Sequence, residues 1–510
     1  MLAKSPAKPS VAKTSTAAVT HQVLIIGAGF AGLGCAIRLR QSGIDDVVIL
    51  ERDAVVGGTW RDNQYPGAAC DIPSNLYSFS FAPNPNWSRS YSGCHEILAY
   101  TNSLLDRYAL RGLIRFRQNV CALAFDDATG CWNVSTEAGE VHRARSVIMA
   151  SGPLSNASFP KMSGIESFKG HKILSARWDH SYDFTGKRVA VIGTGATAIQ
   201  IVPELVKQAA FVKVFQRTPG WMMPRFDIAI PGWAQRLFKR APGTQRAVRQ
   251  ALYYIHEFMA TGLIWNTPVT RVLQMIAKMH LRHQVKDSWL RRQLTPDFRI
   301  GCKRVLMSSD FYPALQQPNC KLITWPIACI SPRGIRSVEG VEHVVDCIVF
   351  ATGYDIYNSA APYQITGRNG RQLAAEWAGG AQAYKSINVA GYPNLYITFG
   401  PNSGPGHNSA LAYVESQIDY IVQGIKTVQT RGLSYVEVRE NVQLEYNRGI
   451  QKRLSRTNWN SGYKSWYLTA DGFNAAMYPG FATQFAHQLK KFDVKDYELV
   501  RLKTEVTAPA

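Results

Sequence analysis

The sequence predicts an α/β protein with two Rossmann-like dinucleotide-binding domains and a helical insertion. Three observations carry that prediction. The stretches "VLIIGAGFAG" (23–32) and "VAVIGTGATA" (189–198) each read as a buried strand, a glycine-rich turn and the start of a helix. Each is followed by a second apolar run that ends on a charged residue. The stretch 223–301 has helical periodicity, many cations and few strand signals.

In the first unit the apolar run Val23 to Ile26 precedes Gly27-x-Gly29-x-x-Gly32. Gly27 permits the tight turn, Gly29 lets backbone approach phosphate, and Gly32 lets helix pack on strand. Phe30 and Ala31 open the helix, whose free N–H groups suit a pyrophosphate. The next strand, "DVVILE" (46–51), ends on Glu51, where a carboxylate accepts bonds from ribose hydroxyls, and Arg52 adjoins it.

The second unit repeats the plan with Gly193-x-Gly195-x-x-Ala198. Thr194, Ala196 and Thr197 complete the turn, and Gln200 lies on the helix that follows. Arg217 stands at the same distance from Gly193 as Glu51 from Gly27. A carboxylate there repels a 2′-phosphate, while a guanidinium binds it bidentately. The first site therefore fits FAD and the second NADP, with Thr218 as a further donor. Two such sites in one chain imply hydride traffic from NADPH to a flavin. A disulfide reductase would need a redox pair such as CxxxxC, and Cys35 and Cys70 stand isolated.

The segment "GGTWRDNQYPGAACDIPSNLYSFSF" (57–81) narrows the chemistry. Its glycines suit backbone lying against a ligand, and Trp60 and Tyr65 suit a flat apolar ring. It resembles the fingerprint of the type I Baeyer–Villiger monooxygenases, matched here by Gly58, Trp60, Tyr65, Pro66, Gly67 and Asp71. The resemblance extends over nearly the whole chain. "FKGHKILSARWD" (168–179) is similar to the second family fingerprint at Phe168, Gly170 and Trp178, but Leu174 replaces the central His and Asp179 the final Pro. "GCKRVLMSSDFYPALQQPNCKL" (301–322) resembles the segment bearing the family's active-site arginine, "DCIVFATGYD" (346–355) an element joining the nucleotide domains, and "GPNSGPGHNS" (400–409) a loop of the 4-hydroxyacetophenone monooxygenase-like branch.

The resemblance implies a cycle in which NADPH reduces FAD, O₂ adds to give a C4a-peroxyflavin, and a ketone becomes an ester or lactone. It implies Arg304 as the catalytic cation and Asp71 as the group orienting it. Lys303 is implied at the 2′-phosphate. Thr59, Ala69, Cys70, Tyr77 and Val120 join Gly58 and Trp60 as flavin-site residues. Leu174 is expected to weaken NADP positioning or coupling between the domains, with His171 a candidate to take over part of the missing role. His407 reads as structural. The alternative is an S- or N-oxygenating flavin-containing monooxygenase, for which Arg304 would matter less.

The bulk numbers agree with an enzyme. The chain has 510 residues, and 57 basic against 36 acidic side chains give a net charge of +21. Such charge suits anionic cofactors or lipid headgroups; with two intact fingerprints a nucleic-acid module is not expected. Nine scattered cysteines lack metal-ligand spacing and suit a reducing, cytoplasmic setting. No metal is expected, and the protein is expected to be a monomer or homodimer. Residues 1–20 read as a disordered basic tail without a secretory h-region. The FAD domain is expected to take 21–155 and 386–510, and the NADP domain 156–222 and 302–385. The insertion, 223–301, is expected to cover the ketone site. No stretch reaches the roughly 20 apolar residues of a spanning helix, but the insertion's cations, Arg236, Lys239, Arg240, Arg246, Arg249, Lys278, Arg282, Arg291 and Arg292, also suit peripheral contact with anionic lipid.

Overall fold

The computed structural model describes residues 20–154, 159–354, 363–461, 467–469 and 471–502. Of the expected tail only Thr20 falls among them.

The first sheet is built on β1 (Thr20–Ile26), β2 (Val47–Leu50), β3 (Ile114–Arg115), β4 (Val120–Asp126), β5 (Cys131–Thr136) and β6 (Val141–Met149). β1 lies between β2 and β6, parallel to both, with Ile25 opposite Ile49 and Ile148. Its "VLII" run is apolar throughout because both faces are covered. Val23 and Ile25 enter one apolar cluster, and Leu24 and Ile26 another. Helices Phe30–Gln41 and Ala410–Thr430 pack together beside β1.

Two late strands complete this sheet. Leu395–Ile397 pairs with β6, and Gln364–Thr366 pairs with β4, Ile365 opposite Leu123. Gln364–Thr366 falls in the stretch expected to belong to the NADP domain, so the expected boundary at 385/386 is too late. The reason is packing: Tyr363, Ile365 and Leu373 join Leu123, Trp132 and Val134 in one apolar cluster. The chain crosses back to the first sheet between Phe350 and Gln364.

The second sheet is all parallel. Its order is Cys320–Ile323, β9 (Phe211–Phe215), β8 (Arg188–Ile192), Cys347–Phe350 and β7 (His171–Leu174). Val189 and Val191 of β8 face one cluster, and Ala190 and Ile192 the other, where they meet Ile330 and Ile335 of an antiparallel meander, Ile327–Val344.

The stretch 223–301 folds into helices Gly232–Arg240, Pro242–Ile264, Pro268–Gln284 and Ser288–Leu294. Proline starts two of them, where its missing N–H costs nothing, and Asp287 caps the last by accepting from the N–H of Trp289 and Leu290. Two inward side chains tie these helices to the first domain. Arg249 donates to the carbonyls of Asn75, Leu76 and Ser78. Glu257, 7% exposed, accepts from His407, Asn408, Thr483 and the N–H of Ala482. Among the described residues no helix is long and apolar enough to cross a membrane.

Candidate functional site

The two glycine turns are built alike and open on one cleft of about 2060 Å³ between the sheets. At Gly27 the backbone has φ +105°, and a Cβ would sit 2.7 Å from the Ala150 carbonyl beyond β6. At Gly193 φ is +119°, and a Cβ would sit 2.4 Å from the Ala351 carbonyl beyond the corresponding strand. Only glycine fits either place. Gly29 and Gly58 face each other closely, so neither backbone carries a side chain into the space between. The helix starting at Phe30 has no side-chain cap, which leaves its first N–H groups to the cleft.

Glu51 is buried at 4% exposure. Its Oε2 accepts from the Ala28 N–H at 2.8 Å, and its Oε1 from Arg61 Nη1 at 2.9 Å and the Asp53 N–H at 3.0 Å. A carboxylate has about four acceptor positions, so one remains for a ribose hydroxyl. Arg61 is a partner that sequence reasoning missed; nothing in its spacing sets it apart from other loop arginines.

Across the cleft Arg217 follows β9, and Thr194 Oγ1 meets the Thr218 carbonyl at 3.4 Å. Burial, and then the neighbouring Arg217 guanidinium, push the Lys303 ammonium below its ordinary value. Both side chains line the cleft, and two cations there suit a doubly charged anion.

Between the turns, Arg304 and Asp71 form a bidentate pair, Nε to Oδ2 at 2.8 Å and Nη2 to Oδ1 at 2.7 Å. Burial would raise the Asp71 carboxyl, but Arg304 outweighs it and holds the group below its ordinary value. Asp71 in turn raises the guanidinium. Arg225, stacked over Tyr91, adds further positive charge near Asp71. Tyr467 is the other neighbour missed from sequence. It is buried and lines the cleft, and burial pushes its phenol up to about 12 against the opposing effect of Arg304.

On the flavin side Trp60 Nε1 donates to Tyr77 Oη at 3.1 Å, and Phe30 meets Tyr77 edge-on. Gln200 bridges the nucleotide units: its Nε2 donates to the Ala69 carbonyl at 2.9 Å and its Oε1 accepts from Tyr65 Oη at 2.9 Å. Beside it Gly67 has φ +77°, and a Cβ there would press on the Gln200 carbonyl at 2.5 Å. Burial pushes the thiols of Cys35 and Cys70 up, and both are free.

Of the residues assigned from sequence to the catalytic and cofactor-binding sites, all but Gly32 and Ala198 line the cleft; those two pack behind the turns. Arg52, Thr59, Ala69, Val120, Ala196 and Thr197 all reach it. No residue of 223–301 lines the cleft itself, since Arg249 and Glu257 tie the insertion to backbone of the first domain, though Arg225 of that stretch lies near Asp71. One expectation needs correction. His171 does not stand in at position 174: it lies 3.0 Å from Asp179 and stacks on Tyr182, at the other end of β7. Leu174 itself does not line the cleft but packs with Ile192, Phe215 and Phe350. His407 is buried against Glu257 at 2.9 Å, as its structural reading anticipates.

Two nucleotide turns facing one cleft, with a fixed guanidinium between them and no thiol pair, define a flavoprotein oxidoreductase rather than a dithiol enzyme. The family model for pyridine nucleotide-disulphide oxidoreductases matches residues 24–252. A Baeyer–Villiger monooxygenase of Pseudomonas aeruginosa is 42% identical over 492 residues, spanning 96% of this chain and 93% of that one. Another, of Streptomyces coelicolor, is 41% identical over 94% of this chain and 93% of its own length. The crystal structure of oxidised steroid monooxygenase bound to NADP superposes with a TM-score of 0.85 at 29% identity, over 95% of this chain and all of that one. Closed cyclohexanone monooxygenase gives 0.85 at 25% identity over the same shares. The chain belongs to the Baeyer–Villiger monooxygenases, as its fingerprints imply.

Proposed function

We propose that the protein uses FAD and NADPH to insert one oxygen atom of O₂ beside a ketone carbonyl, giving an ester or lactone. The observation that carries this reading is the bidentate Arg304–Asp71 pair placed between two nucleotide turns on one cleft. The residues present fit both cofactors: Gly27, Gly29 and Gly58 leave backbone-lined space, and Arg217 and Lys303 concentrate positive charge at the second turn. Bound FAD supplies the redox chemistry, taking hydride from NADPH and activating O₂.

The chain's own residues then do four things. Glu51 accepts a ribose hydroxyl of the first nucleotide. Arg217 and Lys303 hold the 2′-phosphate of the second. Trp60, Tyr77 and Phe30 cover a flat ring and exclude water from it. Arg304, kept protonated by Asp71, faces negative charge developing on the reacting ketone oxygen. Once the nucleotides fill the cleft and exclude water, a preorganised cation stabilises such charge by several kcal/mol, about 10²–10³ in rate.

The test is aerobic turnover of the flavin-loaded enzyme with NADPH and a panel of linear, cyclic and aryl ketones. Ester formed in step with NADPH consumed is the expected result. Sulfoxide from a sulfide, with no ester from any ketone, would replace this reading with sulfur oxygenation.

A further inference from the structure

The outward side of the inserted helices is apolar and cationic at once. On Pro242–Ile264 the exposed positions Ala247, Val248, Ala251, Tyr254, Ile255 and Phe258 recur at helical spacing and form one stripe. On Pro268–Gln284, Val272, Met275 and Met279 do the same, and on Gly232–Arg240 Trp233 and Leu237 stand one turn apart. Phe258 is 65% exposed, Tyr254 62% and Met279 59%. The three helices pack side by side in chain order. Scattered single apolar side chains on a surface need no explanation, but exposed apolar positions at helical spacing on three adjacent helices do.

The charges are one-sided. Arg236, Lys239, Arg246, Arg271, Lys278 and Arg282 are exposed on these helices. The single acid between 232 and 286 is Glu257, which is buried and turned inward to His407 and Thr483. An isologous dimer through this face would set cations against cations with no acid to offset them. A bilayer with anionic headgroups supplies both what the stripes and what the cations lack. The inner face of Pro242–Ile264 is committed to the first domain through Gln245, Arg249 and Glu257, so the helix lies flat and does not span.

We infer that helices Gly232–Arg240, Pro242–Ile264 and Pro268–Gln284 form a docking surface for an anionic lipid bilayer, with Trp233, Tyr254, Phe258 and Met279 entering the headgroup boundary. This partner is independent of the ketone reaction proposed above.

The experiment is co-sedimentation of the flavin-loaded protein with vesicles of phosphatidylcholine alone or mixed equally with phosphatidylglycerol, at low and high salt. The wild type is expected to partition onto the mixed vesicles and to release at high salt. The pair Tyr254→Ser and Phe258→Ser is expected to weaken partition by about tenfold or more, and Lys278→Gln with Arg282→Gln by about fivefold for each cation removed. All variants keep flavin absorbance and turnover of a water-soluble ketone. No partition of the wild type onto mixed vesicles overturns the inference. So does partition that survives loss of both aromatics, which is adsorption to any polyanion. So does a lipid-free dimer, seen by light scattering, that the aromatic substitutions convert to monomer.

Discussion

Arg304 and Asp71 lie far apart in sequence, and the fold joins them by two short charge-assisted bonds. Arg304→Lys keeps the charge but loses the bidentate fork. Ester formation should fall about 10²–10³-fold, while anaerobic bleaching of the flavin by NADPH continues; an equal loss of both would move Arg304 from oxygenation to cofactor binding. Asp71 makes the pH argument. Its folded value is depressed, so the pair's contribution is complete above the ordinary carboxylate value of about 3.9 and is lost as pH falls through the lower, folded one. An acid limb in kcat/KM well above pH 4 should therefore survive in Asp71→Asn. At the second turn, Arg217→Ala should raise KM for NADPH by about tenfold to a hundredfold and leave NADH unchanged, read from initial rates with both. These residues were legible because fixed spacings carry them: the matched offsets from Gly27 and Gly193, and the fingerprint ending at Asp71. Arg225 and Tyr467 were not, because only the fold sets them beside Asp71 and Arg304, and no local pattern marks them.

The strand β7 shows what an element decides that a motif cannot. A strand rises about 3.3 Å per residue, so His171 at one end is about 10 Å from Leu174 at the other. His171 is held near Asp179, itself a departure from the family pattern, while Leu174 has joined the apolar cluster under the meander. Restoring the family residue by Leu174→His should therefore destabilise the protein by about 1–3 kcal/mol, seen as a lower denaturant midpoint, with no gain in ester per NADPH. A gain in coupling would show that position 174 acts on the cofactor after all. The parallel strands were legible as apolar runs before glycine turns. Gln364–Thr366 was not: three residues carry no period, and their place in the first sheet depends on packing against Leu123 and Trp132, distant in sequence.

Over the whole molecule the insertion is fastened by a few buried polar groups. Burial raises the Glu257 carboxyl, but bonds from His407 and Thr483 more than offset this and bring it to about 2, from an ordinary 4.5. Because the folded value is the lower one, its stabilisation is complete above about pH 4.5 and is lost as pH falls toward 2. Glu257→Gln should lower Tm at neutral pH, by about 1–3 kcal/mol of stability, and flatten the acid side of the stability curve between those values. A variant that keeps the wild-type slope there would assign the acid transition elsewhere. The helical character of 223–301 was legible from periodicity and charge. Which way it faced was not, since an inward Glu and outward aromatics invert the usual reading of an amphipathic helix.

The pairing of β6 with Leu395–Ile397, and the packing of helix Phe30–Gln41 on Ala410–Thr430, bear on synthesis. As the chain leaves the ribosome, the second nucleotide unit obtains its last strand at Cys347–Phe350 before the first unit has its covering helix. A nascent chain halted ahead of Leu395 would carry a finished middle and an open, apolar beginning. Chaperone capture during translation should therefore concentrate on β1, β6 and helix Phe30–Gln41, and end once the segment through Thr430 has emerged.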